Sequence, residues 1–302
     1  IAAEPVVQRR RRPPARVRAK YVLTVLVFLL PSLIPLLAFV IGPMISAAWT
    51  SLHSWNLIGP MQWVGLDNYA YLLSDPATHQ AFLHTVYYIV GYLPLVYVGG
   101  LALALALNSR LRGRAVFRGV YFLPVITSWV VVALVWRWLL SPSNGVVNTV
   151  LSWVGIEGPG WWADPAWAMP SIILASAWKD LGFVMVILLA GLQTINPDLY
   201  EAAELDGTNA WQRFINVVVP GIRPALIVVL TTISIGSLKV FDIVRTMTAG
   251  ANNTSVLANE MYTQFRSFEA GRSAAFAVIL FLLVMPIVIY NAVQLKRQRE
   301  VR

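Results

Sequence analysis

The chain is organised by long apolar runs separated by short polar segments. Six of these runs approach or exceed the length of about 20 residues that a helix needs to cross a bilayer. They lie at residues 21–48, 85–107, 118–140, 168–193, 222–246 and 273–294. The pattern predicts an all-α membrane protein of six transmembrane helices. The first run carries Pro31, Pro35 and Pro43. A membrane helix tolerates proline when other groups satisfy the freed carbonyls, so this first span is predicted to be kinked or broken. Residues 1–19 are predicted to be a basic, disordered tail, and residues 20–302 one transmembrane domain.

Composition supports this class. Of 302 residues, 58% are hydrophobic and only 12% are charged, with a mean hydropathy of +0.65. A soluble domain carries roughly 25% charged residues. Half that share leaves too little polar surface for a water-soluble fold, so the apolar surface is expected to face lipid.

Charge placement orients the spans. The segment before the first run holds Arg9 to Arg12, Arg16, Arg18 and Lys20. The loop after the second run holds Arg110, Arg112, Arg114 and Arg118, and the loop after the fourth holds Arg213 and Arg223. With Lys296, Arg297, Arg299 and Arg302, these account for 17 of the 23 basic residues. The alternate loops at residues 49–84 and 141–167 hold no Lys or Arg, and the last has only Arg266 and Arg272. Basic loops stay on the cytoplasmic side. Both termini are therefore expected in the cytoplasm, and the net charge of +9 reports topology rather than a nucleic-acid partner. Trp55, Trp63, Tyr69, Tyr71, Trp153, Trp161, Trp162 and Trp167 then fall in outer segments, as an interfacial aromatic belt would.

Catalytic signatures are missing. The sequence has no phosphate-binding G-x-x-x-x-G-K-[ST], no G-x-S-x-G and no H-E-x-x-H. Without cysteine there is no thiolate chemistry and no Cys-ligated metal. His53, His79 and His84 lack close metal-ligand spacing and are expected at the surface. Ile1 in place of Met leads to the expectation of a trimmed N-terminus, and no cleavable signal peptide is recognised. The chain is expected to be a transport subunit and not an enzyme, with its energy supplied by a partner.

One loop is informative in detail. Asn196 is a good N-cap, Pro197 suits the first helical turn, and Asp198 and Glu201 complement the positive end of the helix dipole. Gly207 can adopt the left-handed conformation that stops a helix. A second short helix follows, capped by Thr208 or Asn209. It carries an apolar stripe of Trp211, Phe214, Ile215 and Val218, and it is expected to end at Pro220. Periodicity alone leaves two readings, a knob for a groove in a soluble partner or an ordinary amphipathic loop.

The string Glu201-Ala202-Ala203, with Gly207 four residues after Ala203 and then Val217, Val219 and Pro220, resembles the EAA motif of ABC importer permeases. Val217 and Val219 stand where the motif has Ile and Leu. Residues 64–69, 118–124, 178–183 and 239–242 are similar to stretches of the carbohydrate-type permeases, relatives of the maltose and glycerol-3-phosphate importer subunits. The resemblance implies a type I ABC importer permease (MetI-like) architecture in the cytoplasmic membrane. It also implies that Glu201, Ala202, Ala203, Glu204, Asp206, Gly207 and Pro220 belong to an ATPase-docking loop at residues 196–220. The partners it implies are a second homologous permease, two ATP-binding subunits, an extracytoplasmic solute-binding protein and membrane lipid. ATP and Mg would sit on the ATPase, with no cofactor on this chain. An ATP-independent secondary transporter or channel is the competing class, but no span carries an evident carboxylate relay.

Ionisable residues inside spans cost about 2.5–3.5 kcal/mol at a helix centre, so they should face the bundle interior or a wet cavity. Lys179, Asp180, Lys239 and Asp242 are the candidates for a translocation path or gate. Interhelical ion pairing is the structural alternative. Lys179 and Asp180 are adjacent and need separate partners, whereas Lys239 and Asp242, three apart, can pair on one helix face. Arg137 is expected to reach the outer boundary.

Overall fold

A computed structural model describes the backbone of residues 15–109 and 113–300. In chain order it contains α1 (Ala15–Leu36), a π turn (Leu37–Ile41), α2 (Gly42–Thr50) and a hairpin of β1 (His53–Ser54) with β2 (Gln62–Trp63). Then come α3 (Asp67–Ser74), α4 (Pro76–Asn108), α5 (Arg114–Ile126), α6 (Trp129–Leu139), α7 (Val146–Trp153) and α8 (Ala168–Leu192). The last part holds α9 (Pro197–Leu205), α10 (Ala210–Arg213), a π turn (Phe214–Val218), α11 (Val219–Gly221), α12 (Arg223–Leu238), α13 (Asp242–Met247), α14 (Leu257–Arg266) and α15 (Ala270–Glu300).

The chain forms two compact units, one up to Trp49 and one from Thr50. The first contains α1 and most of α2. Residues 1–14 of the tail expected over 1–19 lie outside the described residues, and helix is already present from Ala15. The proline-rich run is not broken. Pro43 cannot donate to the carbonyl four residues back. The helix instead widens into a π turn, in which the Gly42 N–H donates to the Leu37 carbonyl, and then resumes.

Within the second unit α8 is the central helix. In its most apolar window 61% of residues are buried, against 22% in each of α4 and α15. Close approach fixes its neighbours. A Cβ on Gly100 of α4 would lie 2.4 Å from Val184, and one on Gly182 would lie 1.9 Å from the Tyr121 carbonyl of α5. Small residues let helix backbones approach in this way in membranes. A second apolar cluster joins Leu72, Ala81, Leu257, Phe276 and Leu280 across α3, α4, α14 and α15.

Among the described residues four helices are long and apolar enough to cross a membrane: Thr24–Thr50, Pro76–Asn108, Ala168–Leu192 and Ala270–Gln294. The run predicted at 168–193 matches its helix closely, and the run at 273–294 lies within α15, which continues to Glu300. The run predicted to start at residue 85 starts at Pro76, because the Asp75 carboxylate caps it by accepting from the Thr78 N–H at 2.9 Å. The other two predicted runs are not single helices. Over 118–140 the chain bends by 104° between α5 and α6. The run at 222–246 stops at Leu238 and restarts at Asp242, and α12 is also bent by 71° from the helix before it, Ala210–Gly221.

The 104° bend exposes the last carbonyls of α5, which lipid cannot satisfy. Lys179 of α8, only 4% exposed, satisfies them. Its ammonium donates to the carbonyls of Pro124 at 3.0 Å, Val125 at 3.0 Å and Thr127 at 2.8 Å. It also lies 4.9 Å from the centroid of the Trp129 ring, at the start of α6. The Thr127 hydroxyl donates to the Leu123 carbonyl at 3.1 Å. The cost of placing a lysine in the bundle is thus offset by the carbonyls of a broken span.

Replacing Lys179 with Met removes the ammonium from the Val125 and Thr127 carbonyls, while the Pro124 carbonyl keeps the Thr127 N–H, and each carbonyl left unpaired costs about 1–3 kcal/mol. We expect Lys179→Met to lower the thermal unfolding midpoint of the purified protein in detergent, and Lys179→Arg to recover part of the loss. An unchanged midpoint for Lys179→Met would remove the internal-cap role.

Candidate functional site

Two features concentrate the polar chemistry: the corner between α9 and α10, and a cavity beside α8.

The corner is built by local signals. The Asn196 side chain accepts from the Asp198 N–H at 3.1 Å, and Pro197 occupies the first turn of α9. At the other end Gly207 takes a φ of 69°, where a Cβ would be strained. The Thr208 N–H and hydroxyl both reach the Ala203 carbonyl, at 3.1 and 2.6 Å. Of the two candidate caps, Asn209 starts α10, in a reciprocal capping box with Gln212. Pro220 does not end the second helix: it lies inside α11, and the chain turns at Ile222.

The corner is anchored on one side and open on the other. Tyr200, Phe214 and Val217 pack against the main core, where Ile195, Val218 and Ile222 are buried. Burial also raises the pKa of the Tyr200 hydroxyl. Glu201, Ala202, Glu204, Asp206, Gly207 and Pro220 are exposed, and Ala203 is half-buried. Leu205 is 90% exposed and Trp211 67%, the latter stacked on Phe214 with ring centroids 5.5 Å apart. The Arg213 guanidinium donates to the Glu204 carboxylate at 3.2 Å and ties α10 back to α9. The corner therefore behaves as a braced knob with apolar and acidic side chains outward.

The cavity, of about 310 Å³, brings together all four predicted in-span residues, Lys179, Asp180, Lys239 and Asp242. Tyr88, Tyr92, Trp129, Phe183 and Phe241 supply its aromatic wall. Lys179 and Asp180, being neighbours on a helix, turn to different partners: Lys179 to the α5 carbonyls, Asp180 to the hydroxyl of Tyr92, which donates to it. Tyr92 in turn stacks on Tyr88, with centroids 5.1 Å apart. The pairing considered for Lys239 and Asp242 does not form. The helix ends at Leu238, so the two residues flank a break instead of sharing a face, and both are exposed. The ion pairs among the described residues, Arg213–Glu204 and Arg272–Glu269, lie elsewhere.

Arg137 closes the last turn of α6. It donates to the Thr246 carbonyl at 3.1 Å and stacks over Trp162 at 4.7 Å. Of the histidines expected at the surface, His53 is buried, edge-on to Trp63. Tyr88, Tyr92 and Trp129 were not singled out from sequence. The i, i+4 tyrosine pair within an apolar run was the available signal.

Comparison with known proteins identifies the family. A family model described as "binding-protein-dependent transport system inner membrane component" matches residues 97–300. The chain is similar to the alpha-glucoside transport system permease protein AglF of Rhizobium meliloti, 35% identical over 87% of this chain and 80% of that one. It is 34% identical to the trehalose/maltose transport system permease protein MalF of Thermococcus litoralis, over 85% and 88%. Among solved structures, a chain of a bacterial ABC transporter involved in import of the acidic polysaccharide alginate superposes with a TM-score of 0.80 at 27% identity, covering 93% of this chain and 97% of that one. The chain belongs to the inner-membrane components of binding-protein-dependent transport systems, and is a multi-pass ABC importer permease subunit rather than an enzyme.

Proposed function

We propose that this chain is one of two homologous permease subunits of an ATP-driven importer for a sugar or sugar-like solute, and that the α9 corner is where a partner ATPase drives it. The observation that carries this reading is the corner itself. A helix of nine residues, capped at one end and turned by Gly207 at the other, presents Glu201, Ala202, Glu204 and Asp206 outward, while Tyr200 anchors it to the core. Small alanines allow close approach to a partner, and the carboxylates suit basic groups on it.

Carbohydrate cargo is supported by the relatives, whose names specify alpha-glucosides, trehalose/maltose and alginate. Oligosaccharides, glycerol phosphates and amino sugars are the classes in view. Six crossings with both ends cytoplasmic follow if each bent helix pair is one span, and the distribution of Lys and Arg supports that orientation. ATP and Mg then bind on two partner ATPases, and a separate extracytoplasmic protein delivers the solute. In one solved relative, an alginate ABC transporter is in complex with an alginate pentasaccharide-bound periplasmic protein. ATP-driven movement at α9 rocks the spans between inward-facing and outward-facing states. Asp180, Lys239 and Asp242 line the route, and Lys179 holds the bend in its wall.

Gly207→Asp forces a side chain onto a left-handed backbone, and Glu201→Lys reverses charge on the outward face. Each is expected to abolish ATP-dependent uptake while membrane insertion continues. Uptake that survives both changes contradicts the docking role. The active complex is expected to contain one copy of this chain and one of a different permease. Purification of an active complex with two copies and no other permease contradicts that arrangement.

A further inference from the structure

The hairpin after α2 is rigidly mounted. His53 pairs with Trp63, and Ser54 with Gln62. The tip is held by the Asn56 side chain, which accepts from the N–H groups of Ile58 and Gly59, and by the Trp55 indole, which donates to the Gly59 carbonyl at 3.0 Å. The base is fastened to the start of α15. The Ala270 N–H donates to the Trp55 carbonyl at 2.9 Å, and Gly271 lies so close that a Cβ there would be 1.9 Å from the His53 carbonyl. The Asn68 amide donates to the carbonyls of Ser51 and His53.

Its surface composition is unusual for a loop in water. Residues 51–66 contain no Asp, Glu, Lys or Arg. Ile58 is 85% exposed, Leu66 69% and Met61 41%, and Trp63, edge-on to His53, is 61% exposed. Exposed apolar side chains on a rigidly held, charge-free loop mark an interaction site.

The mount sets the depth. α15 is preceded by Glu269 and carries Arg272 in its first turn, and the uncharged run of residues 273–294 follows. Charged side chains belong outside the hydrocarbon core, so the first turn of α15 lies at headgroup level. A hairpin bonded to Ala270 and Gly271 lies at the same level, where tryptophan is favoured and charge-free apolar side chains can enter the acyl boundary.

We propose that the hairpin tip is an interfacial membrane anchor that inserts Ile58, with Met61 on the same tip, into the headgroup and upper acyl region of the bilayer. The anchor pins the start of α15 at a fixed depth. It rests on the multi-pass membrane reading, and a failure here leaves the docking role of α9 untouched, because the two have separate readouts.

The chain has no cysteine, so Ile58→Cys supplies its only thiol, at a side chain too exposed to be needed for folding. The complete transporter carrying an environment-sensitive fluorophore at this site is reconstituted in phosphatidylcholine nanodiscs, with Glu157→Cys as an exposed reference site. Lipids brominated high on the acyl chain are expected to quench the residue-58 label roughly twofold more strongly than they quench the reference, with aqueous iodide showing the reverse order. Iodide quenching equal to that of the reference overturns the proposal. So does a label insensitive to both quenchers that responds only to added solute-binding protein, which would mark a protein-docking face.

Discussion

In a bilayer no water satisfies a backbone group left open, and this constraint governs the molecule. It is tested hardest at Thr127 and Ser128, where a membrane-length apolar run bends by 104°. Three carbonyls there are gathered by one ammonium, that of Lys179. The same helix face brings Gly182 against the α5 backbone. A donor and a gap one turn apart on α8 thus make the bend both possible and closely packed.

From α8 the constraint extends both ways. On the adjacent face Asp180 accepts from Tyr92, and both line one cavity with Lys179, Lys239 and Asp242. At its end the chain passes through Ile195 into α9, and Tyr200 and Phe214 return to the core that α8 organises. Under the proposed docking role, these two contacts are the route by which a displacement of the α9 corner would reach the packed helices. The core underneath is closely packed, so it shifts as elements rather than yielding locally.

Legibility in sequence followed the range of the interactions. The corner was readable almost residue by residue, because Asn196, Pro197, Gly207 and Asn209 act on backbone groups within five positions. The helix at 168–192 and the apolar part of α15 were readable from hydropathy alone. The start of α4 carried its own signal in Asp75-Pro76, outside the apolar run that set the predicted boundary. The breaks were not readable. The carbonyls freed at Thr127 are answered by a lysine 52 residues away, and the local pattern near Lys239 still suits a helix. That assumption alone suggested pairing Lys239 with Asp242. The placement of His53 was not readable either: its carbonyl is held by Asn68 and approached by Gly271, both outside its local pattern.

The central claim is that α9 is the contact through which ATP hydrolysis elsewhere moves this subunit. Site-specific photo-crosslinking tests it most directly, with a photoreactive residue in place of Ala202 in the assembled transporter in native membranes. The account predicts an adduct between this chain and the ATPase subunit, with a yield that changes when ATP is bound. Full transport activity with no ATPase adduct at residue 202 would contradict it.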